Sequence, residues 1–429
     1  MSTASSALLT DHYELTMVSA SLKDGTADRR CVFEVFARRL PPGRRYGVVA
    51  GTGRLVELLA NFRFSEAEIG FLMQTGVVDE ETGRWLSEYR FSGDVDGYGE
   101  GELFFPGSPV LTVSGTFAEC VVLETLALSV LNHDSAVAAA AARMVTAARG
   151  RPLIEMGSRR THEEAAVAAA RAAFLAGFAY TSNLEAGRRY AVPTTGTAAH
   201  AYTLLHDDEP AAFASQIGAL GKQTTLLVDT YDISQGIRNA IAVGGPGLRA
   251  IRIDSGDLSV LAAQSRELLD SLGAVDTKIV VSGDLDEYAI AALAAEPVDA
   301  YGAGTAVVTG SGAPTAGFVY KLVEVDGRPV VKRSENKATV GGRKTAVRRH
   351  KPTGTATEEV VASRGAPHEM ANDRALQRPF VRGGVPVPDR PSLVDSREHM
   401  RECLIAIPWE GLKLSAGDPA IHVTIQGAP

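Results

Sequence analysis

AIRIDSGD at Ala250–Asp257 is a short apolar run that ends in polar and acidic residues. KIVVSGD at Lys278–Asp284 and DAYGAGT at Asp299–Thr305 repeat this pattern at intervals of roughly 20–30 residues, the length of one strand and one helix. Four earlier segments share it: PLIEMGSRR at Pro152–Arg160, FAYTSN at Phe178–Asn183, AVPTTGTAAH at Ala191–His200 and TLLVDTY at Thr225–Tyr231. Such strands predict an α/β barrel or a doubly wound sheet with its site at the C-terminal edge, and seven of them favour an irregular barrel.

The regions on either side of this repeat have a different pattern. Before it, we predict strands at Arg30–Phe36 and Pro109–Val113 and helices at Gly51–Phe64, Glu66–Met73 and Glu119–Ala148. After it, we predict a hairpin of Phe318–Val325 with Arg328–Lys332, a Pro- and Gly-rich loop at Gly365–Pro391 and a helix at 394–406. The predicted domains are an N-terminal α/β domain (1–120), the barrel with the site (121–318) and a C-terminal segment (319–429) that packs back on the first.

Composition limits the classes of function. Of 429 residues, 45% are hydrophobic and 22% are charged, which excludes a disordered chain. A net charge of −8 argues against nucleic acid or an anionic membrane as partner. The three cysteines form no CxxC pair, and neither a signal peptide nor a membrane span is evident. We therefore expect a cytoplasmic globular protein without disulfides.

Candidate site residues follow the predicted strands. Gly302, Gly304 and Thr305 form a loop that offers backbone N–H groups to a phosphate, although a tight turn explains a GxGT equally well. Arg252 suits a carboxylate or phosphate, and Asp254 with Asp257 suit Mg²⁺ or ribose hydroxyls. The alternatives are a structural salt bridge for Arg252 and Asp254 and a helix cap for Asp257.

Three further features are weaker signals. Arg159 and Arg160 follow another strand end, where adjacent arginines more often face solvent. His200 could be a base, a nucleophile towards phosphoryl groups or a structural residue. The basic stretch with Lys332, Arg333, Lys337, Arg343, Lys344, Arg348 and Arg349 fits either a solvated loop or a phosphate contact.

The order of these blocks resembles the nicotinate phosphoribosyltransferase family. The resemblance starts at LLTDHYELTM (Leu8–Met17) and ends with a pattern of Lys332, Ser334, Lys337, Thr339, Gly342 and Lys344. Between them lie EMGSRR, TSN, GTAAH, RIDSGDL, SGDLDE and YGAGT. It implies a type II phosphoribosyltransferase fold, namely an irregular α/β barrel with an α/β domain built from N- and C-terminal segments, and a homodimer. One departure is Gly283 in SGDLDE, where the family often has Asn.

The resemblance also implies a reaction. Nicotinate and 5-phosphoribosyl 1-pyrophosphate (PRPP) give nicotinate mononucleotide and pyrophosphate, the first step of NAD salvage from nicotinate. ATP as co-substrate and Mg²⁺ make it an ATP-dependent, ligase-class enzyme, with ATP hydrolysis coupled through a phosphohistidine at His200.

Residue roles carry over block by block. Catalysis is implied for His200, Asp254 and Asp257, and nicotinate binding for Tyr13, Arg159, Thr197 and Arg252. Phosphoribosyl and phosphate binding is implied for Asp11, Gly302, Gly304, Thr305, Lys332 and Lys337.

Four other functions compete with this interpretation. Nicotinamide and quinolinate phosphoribosyltransferases share the fold, but GTAAH and the chain length favour the nicotinate enzyme. A non-catalytic nucleotide sensor would more easily lack His200 or Arg252, and both are present. A phosphate-binding barrel isomerase or aldolase leaves TDHYELT unexplained.

Overall fold

The computed structural model describes residues 5–332, 340–363, 365–368 and 370–427. The strands are β1 (Arg30–Ala37), β2 (Gly47–Val48), β3 (Asp94–Tyr98), β4 (Leu103–Phe104), β5 (Leu111–Thr116), β6 (Leu153–Glu155), β7 (Tyr180–Thr181), β8 (Thr225–Leu227), β9 (Ala250–Ile253), β10 (Lys278–Gly283), β11 (Ala300–Ala303), β12 (Phe318–Val325), β13 (Arg328–Pro329), β14 (Thr345–His350), β15 (Ala356–Ala362), β16 (Asp373–Ala375), β17 (Gln377–Arg382), β18 (Val385–Pro386) and β19 (His422–Gln426).

The α-helices are α1 (His12–Lys23), α2 (Thr52–Ala60), α3 (Glu66–Gln74), α4 (Glu80–Glu88), α5 (Phe117–Val121), α6 (Glu124–Ala148), α7 (Glu163–Leu175), α8 (Leu184–Tyr190), α9 (His200–Leu204), α10 (Glu209–Leu220), α11 (Ile233–Gly244), α12 (Leu258–Ser271), α13 (Glu287–Ala292), α14 (Thr305–Val308) and α15 (Leu393–Ala406).

The chain divides into two compact units. The first unit comprises residues 1–139 and 313–429, and the second comprises residues 140–312. The predicted limits at 120/121 and 318/319 therefore differ from the observed ones. The first limit differs more. The observed boundary, between residues 139 and 140, falls inside the long helix α6, and no break in the sequence pattern marks it.

The first unit is built on mostly antiparallel sheets. The described residues form a seven-stranded sheet, in the order β13-β12-β1-β5-β3-β17-β18, and a four-stranded sheet, β16-β14-β15-β19. Strand β1 is buried along nearly its whole length because it lies between β12 and β5 near the middle of its sheet. The predicted hairpin is confirmed, and its two strands flank Asp326 and Gly327, both with positive φ.

One prediction for the first unit is wrong. The Pro- and Gly-rich stretch Gly365–Pro391 is not simply a loop, because it contains β16, β17 and β18. Pro379 lies at the irregular position where β17 pairs with β3, so the sheet accommodates a residue that cannot donate a ladder hydrogen bond. The predicted last helix is confirmed as α15, which begins with a capping box of Ser392 and Asp395.

The second unit contains the predicted parallel sheet. Within the described residues it has six strands, in the order β7-β6-β11-β10-β9-β8, and every neighbouring pair is parallel. Helices connect the strands, and buried alanines of α7 let that helix approach closely. The predicted α/β architecture is confirmed.

Of the seven predicted strands, the one at Ala191–His200 is wrong. This segment makes a single parallel bridge, Thr181 to Thr194, and then continues without regular structure to α9. Pro193 and Gly196 explain the failure, since both weaken a strand interior. The consequence is functional, because the irregular segment brings Thr197 and His200 to the edge of the sheet.

Several acidic residues that follow the strands are helix caps. The side chains of Asp232, Asp257 and Asp286 accept backbone N–H groups at the starts of α11, α12 and α13. A carboxylate at such a position satisfies a donor that the helix leaves free and favours the positive end of the helix dipole. Part of the acidic pattern at the strand ends is therefore structural.

The described residues include one long apolar helical stretch and three free cysteines. Among the described residues, the stretch Phe117–Ala148 is long and apolar enough to cross a membrane by length and composition, but 67% of its most apolar window is buried inside the protein. Core helices of globular proteins meet the same criterion, so this is weak evidence for a span. Cys31, Cys120 and Cys403 are free and buried.

Candidate active site

Two cavities lie at the C-terminal edge of the parallel sheet of the second unit. The first, here called the histidine cavity, has a volume of about 460 Å³. Its lining includes Met156, Ser158, Arg159, Ser182, 195–201, Leu227, Arg252 and Asp254. The second, here called the glycine-loop cavity, has about 250 Å³ and is lined by Met156, Arg159, Arg160, Arg252, Asp254, Ser282, Gly283, Asp284, Gly302, Gly304 and Thr305. Arg159, Arg252 and Asp254 line both.

Arg252 extends from β9 and has three side-chain partners. Its Nε donates to Ser282 Oγ at 2.7 Å, its Nη1 to Thr197 Oγ1 at 3.0 Å and its Nη2 to Asp254 Oδ1 at 2.7 Å. The predicted salt bridge with Asp254 is thus present, and the same guanidinium lines both cavities. The structural interpretation of Arg252 is therefore confirmed, and its role in ligand binding stays a prediction.

Asp254 is held in its charged form. Burial raises the pKa of its carboxyl group, but the hydrogen bond from Ser282 and the Arg252 guanidinium outweigh burial, so the pKa is below its ordinary value. Its backbone N–H donates to Asp229 Oδ2 at 2.8 Å. A fixed negative charge thus lies between the two cavities.

His200 begins helix α9, where the irregular segment ends. Its Nδ1 lies 3.2 Å from Thr230 Oγ1, and its Nε2 lies 3.9 Å from Asp229 Oδ1. The imidazole is 42% exposed, whereas the Asp229 side chain is 1% exposed. Asp229 Oδ1 is buried and has no hydrogen-bond partner among the described residues.

Asp229 is a residue that our sequence reasoning missed. It directly follows β8 in TLLVDTY, at the same strand-end position as Asp254 after β9. Its Oδ2 accepts from the Asp254 backbone and from Ser255 Oγ at 2.8 Å, which fixes the carboxylate beside His200. If every acidic residue at the end of a predicted strand is taken as a candidate, Asp229 is included.

The glycine loop lies against the neighbouring strand β6. A Cβ atom at Gly302 would lie 2.8 Å from Met156 Sδ, so a larger residue there would have to displace the Met156 side chain. Gly304 and Thr305 follow, at the start of the short helix α14, and Thr305 contributes its side chain to the lining. The first-turn N–H groups of a helix have no intrahelical acceptor, which leaves them for a ligand.

Gly283 accounts for one departure from the family pattern. Its φ is +126°, a conformation that side chains rarely adopt, and a Cβ would lie 3.0 Å from the carbonyl oxygen of Asp254. Glycine at this position lets the loop after β10 approach Asp254 closely. Asp284, the next residue, lines the glycine-loop cavity.

The other described candidate residues are not among the lining residues of these two cavities. Asp257 is exposed, caps α12 through Val260 N at 3.3 Å, and is not among the lining residues of the two cavities described here. Asp11 and Tyr13 belong to the first unit, where Asp11 caps α1 and the Tyr13 ring is 43% exposed. Lys332 is exposed in the same unit. Lys337 and Arg333 lie outside the described residues.

Most of the described basic stretch does not form a solvated loop or a phosphate site. Lys344 is buried and donates to Glu34 at 2.5 Å, and Arg348 is buried with Glu102 and Glu359. Arg349 pairs with Glu358, and Arg343 pairs with Asp96. The phosphate-contact prediction is wrong for these four residues because carboxylates of their own unit already neutralise them.

The fold and the cavities together define a phosphoribosyltransferase of type II. The human nicotinic acid phosphoribosyltransferase has the same fold, with a TM-score of 0.86 and 27% identity over 97% of this chain and 98% of that chain. The family model described as the nicotinate phosphoribosyltransferase (NAPRTase) N-terminal domain matches residues 8–132.

Sequence relatives identify the family. The nicotinate phosphoribosyltransferase pncB1 of Mycobacterium tuberculosis is 62% identical over 423 residues, covering 96% of this chain and 94% of the relative. The nicotinate phosphoribosyltransferase of Bacillus subtilis is 38% identical over 80% of this chain and 72% of the relative. The chain belongs to the nicotinate phosphoribosyltransferase family.

Proposed function

We propose that this chain joins nicotinate to PRPP, giving nicotinate mononucleotide and pyrophosphate, with ATP hydrolysis coupled through phosphorylation of His200. This would be the first step of NAD salvage from nicotinate. The observation that carries the proposal is Arg252, a fixed guanidinium shared by two adjoining cavities in a member of this family.

In this proposal the histidine cavity takes the pyridine ring. Arg252 pairs with the nicotinate carboxylate through its terminal nitrogens, since a planar guanidinium matches a carboxylate with two parallel hydrogen bonds. Thr197 holds the guanidinium from one side, and Arg159 adds positive charge at the edge of the cavity. The family resemblance also implies that Tyr13 stacks on the ring, and this stays a prediction.

The glycine-loop cavity takes the phosphoribosyl group. Gly302, Gly304 and Thr305 receive the 5′-phosphate, and Arg159 and Arg160 are placed to attract the pyrophosphate. The bond between the ring nitrogen and C1′ forms as the bond between C1′ and the pyrophosphate oxygen breaks. Positive charge grows on the ribose and negative charge on the leaving group, so fixed charges and correct placement supply the catalysis. The ring nitrogen is already a free nucleophile, and no base is needed.

The carboxylates around these cavities fit Mg²⁺. Mg²⁺ prefers oxygen ligands, and Asp254 and Asp284 both line the glycine-loop cavity. Asp254 and Asp284 would hold the ion, which would supply positive charge to neutralise the pyrophosphate. Asp257 is a weaker candidate because its carboxylate already caps a helix.

His200 is proposed to take the γ-phosphoryl group of ATP. An imidazole nitrogen of His200 is the proposed nucleophile, and the Asp229 carboxylate, 3.9 Å from Nε2, would stabilise the positive charge that the ring gains. A bond from the imidazole nitrogen to phosphorus forms, the bond from phosphorus to the ADP oxygen breaks, and water later releases phosphate. Coupling would strengthen substrate binding or shift the equilibrium and leave the glycosidic chemistry unchanged.

The decisive experiment measures mononucleotide formation from PRPP and Mg²⁺ with nicotinate or nicotinamide, each with and without ATP. We expect product from nicotinate, stimulated by ATP. Product from nicotinamide but not from nicotinate would contradict the proposal. No product from either base would favour a nucleotide-sensing protein. His200→Ala should abolish the ATP stimulation with an unchanged melting temperature, and retained stimulation would contradict the role of His200.

We also propose that the chain forms a homodimer. Large apolar side chains are exposed in the second unit, including Leu184, Leu204, Leu205 and Tyr231. Contiguous apolar surface commonly marks a protein interface, and we propose that these side chains belong to the dimer contact. Light scattering during size-exclusion chromatography should give twice the chain mass of 45.2 kDa, and a monomer mass would refute the dimer.

A further inference from the structure

The contacts of Arg252 leave a specific part of its guanidinium free. A guanidinium has five N–H groups: one on Nε and two on each terminal nitrogen. The described side-chain partners use one N–H on each of the three nitrogens. One N–H remains on Nη1 and one on Nη2, and the terminal nitrogens of a guanidinium can together donate to the two oxygens of a carboxylate.

Ser282 closes a ring of three side chains around this arginine. Its Oγ accepts from Arg252 Nε at 2.7 Å and donates to Asp254 Oδ1 at 2.5 Å. The same Asp254 oxygen accepts from Arg252 Nη2 at 2.7 Å. The serine hydroxyl therefore has its proton committed to Asp254 and a lone pair committed to Arg252. Since Ser282 is only 2% exposed, water cannot easily replace either bond.

Position on the sheet explains why the ring is rigid. Arg252 lies on β9 and Ser282 on the adjacent parallel strand β10, with Val280 in register with Arg252. The register fixes the backbones of the two residues, so the hydrogen bonds fix the plane of the guanidinium. Thr197, from the irregular segment, holds the opposite side.

We propose that Ser282 is a positioning residue that sets the preference for a pyridine carboxylate over the corresponding amide. It does so by holding the Arg252 plane so that its two free N–H groups face the histidine cavity. The inference rests on the proposed function, and it adds a residue that acts on the base only through Arg252.

The chemistry of the two bases supports this role. A carboxylate accepts both N–H groups, whereas an amide offers one acceptor and an NH₂ group that the guanidinium repels. A guanidinium free to rotate loses the paired geometry but still reaches a single acceptor. Loss of Ser282 should therefore weaken nicotinate binding much more than nicotinamide binding.

The test compares variants in the mononucleotide assay. Ser282→Ala should raise KM for nicotinate about tenfold, since a hydrogen bond to a charged group is lost. Because Ser282 also lines the glycine-loop cavity, KM for PRPP need not stay constant, but we expect it to change less than KM for nicotinate, and the nicotinate-to-nicotinamide ratio of kcat/KM to fall. Ser282→Thr, which keeps the hydroxyl, should restore most of the ratio.

A matched control and a second variant separate positioning from a structural role. Ser259 donates to Glu296 at 2.6 Å in the same unit and is not a lining residue of either cavity, so Ser259→Ala loses a similar bond and should leave KM unchanged. Ser282→Cys preserves volume while weakening both hydrogen bonds, and should also raise KM for nicotinate if the alanine variant does not fold.

Two results would overturn the inference. The first is an unchanged nicotinate KM in Ser282→Ala or Ser282→Cys, and the second is an equal rise in KM for nicotinate and PRPP. An inactive wild-type protein would instead refute the proposed function. Wild-type activity on nicotinate with unaltered variants would refute only the role of Ser282.

Discussion

Arg348 in the first unit and Arg252 in the second are both held by acidic side chains, in different surroundings. Arg348 is 2% exposed and donates to Glu102 at 2.8 Å and to Glu359 at 2.5 Å, while Arg374 and His399 also contact Glu102. Arg252 is part of a smaller group that borders two cavities. In the cluster around Arg348, two positive side chains balance two negative ones. In the cluster around Arg252, the guanidinium keeps N–H donors for a ligand. Arginine with carboxylate is therefore not by itself a sign of function.

The same comparison excludes a metal site that the side chains would otherwise favour. Glu102, His399 and Cys403 place one ligand atom each within 4.8 Å of one another. Both oxygens of Glu102 already accept from guanidinium groups, and burial raises the pKa of the Cys403 thiol to about 12. A divalent ion would have to displace an arginine and ionise this thiol, so the cluster is better explained as a buried polar network.

The largest expected effect tests the closed cluster. Arg348→Ala leaves Glu102 and Glu359 buried with fewer partners, and should lower the free energy of unfolding by about 3–5 kcal/mol. Urea denaturation followed by circular dichroism measures this change. Arg401→Ala removes an exposed pair with Glu398 and should leave the midpoint unchanged. A small effect of Arg348→Ala would mean that the two clusters do not differ as described.

The second prediction concerns pH. Burial raises the pKa of Glu102, but Arg348, His399 and Arg374 outweigh burial and hold it well below 4.5. A depressed folded-state pKa contributes stability that is complete above the unfolded pKa and is lost as pH falls through the folded one. The destabilisation caused by Glu102→Gln should therefore persist at about pH 4 and decrease only at lower pH. Urea titrations at several pH values test this, and a loss already complete at about pH 4 would contradict it.

The smallest effect separates a helix cap from a catalytic group. Asp257→Ala should cost about 1 kcal/mol of stability through the loss of the α12 cap. We expect KM for nicotinate and PRPP to change little, because Asp257 does not line either cavity. Asp257→Asn keeps a capping side chain and serves as the control. A large fall in kcat for both variants at normal stability would restore Asp257 to the catalytic group.

The sequence predicted the elements of the fold whose formation depends on nearby residues. Six of the seven strands of the repeat, the glycine loop and helix α15 are present, because apolar periodicity and capping residues act over a few positions. Arg252, Asp254, His200 and Thr197 do meet at one cavity, since parallel strands end at a common edge.

Long-range partners account for what could not be predicted. Lys344 binds Glu34 and Arg348 binds Glu102, pairs separated by 310 and 246 positions in the chain. Nothing near these basic residues indicates that distant carboxylates bury them. Ser282 and Asp229 were missed for a related reason, because their significance lies in atoms of other strands that the fold brings within hydrogen-bond distance.

One measurement tests most directly whether the open cluster of Arg252 binds the nicotinate carboxylate. Steady-state kinetics of Arg252→Ala should show a loss of about 2–4 kcal/mol in kcat/KM for nicotinate, or ~30- to 700-fold. KM for PRPP should stay within about threefold, and the melting temperature should fall little beside that of Arg348→Ala. An equal loss for nicotinate and PRPP, or a collapse in stability, would show that Arg252 is structural like Arg348 and would contradict its assignment as the carboxylate-binding residue.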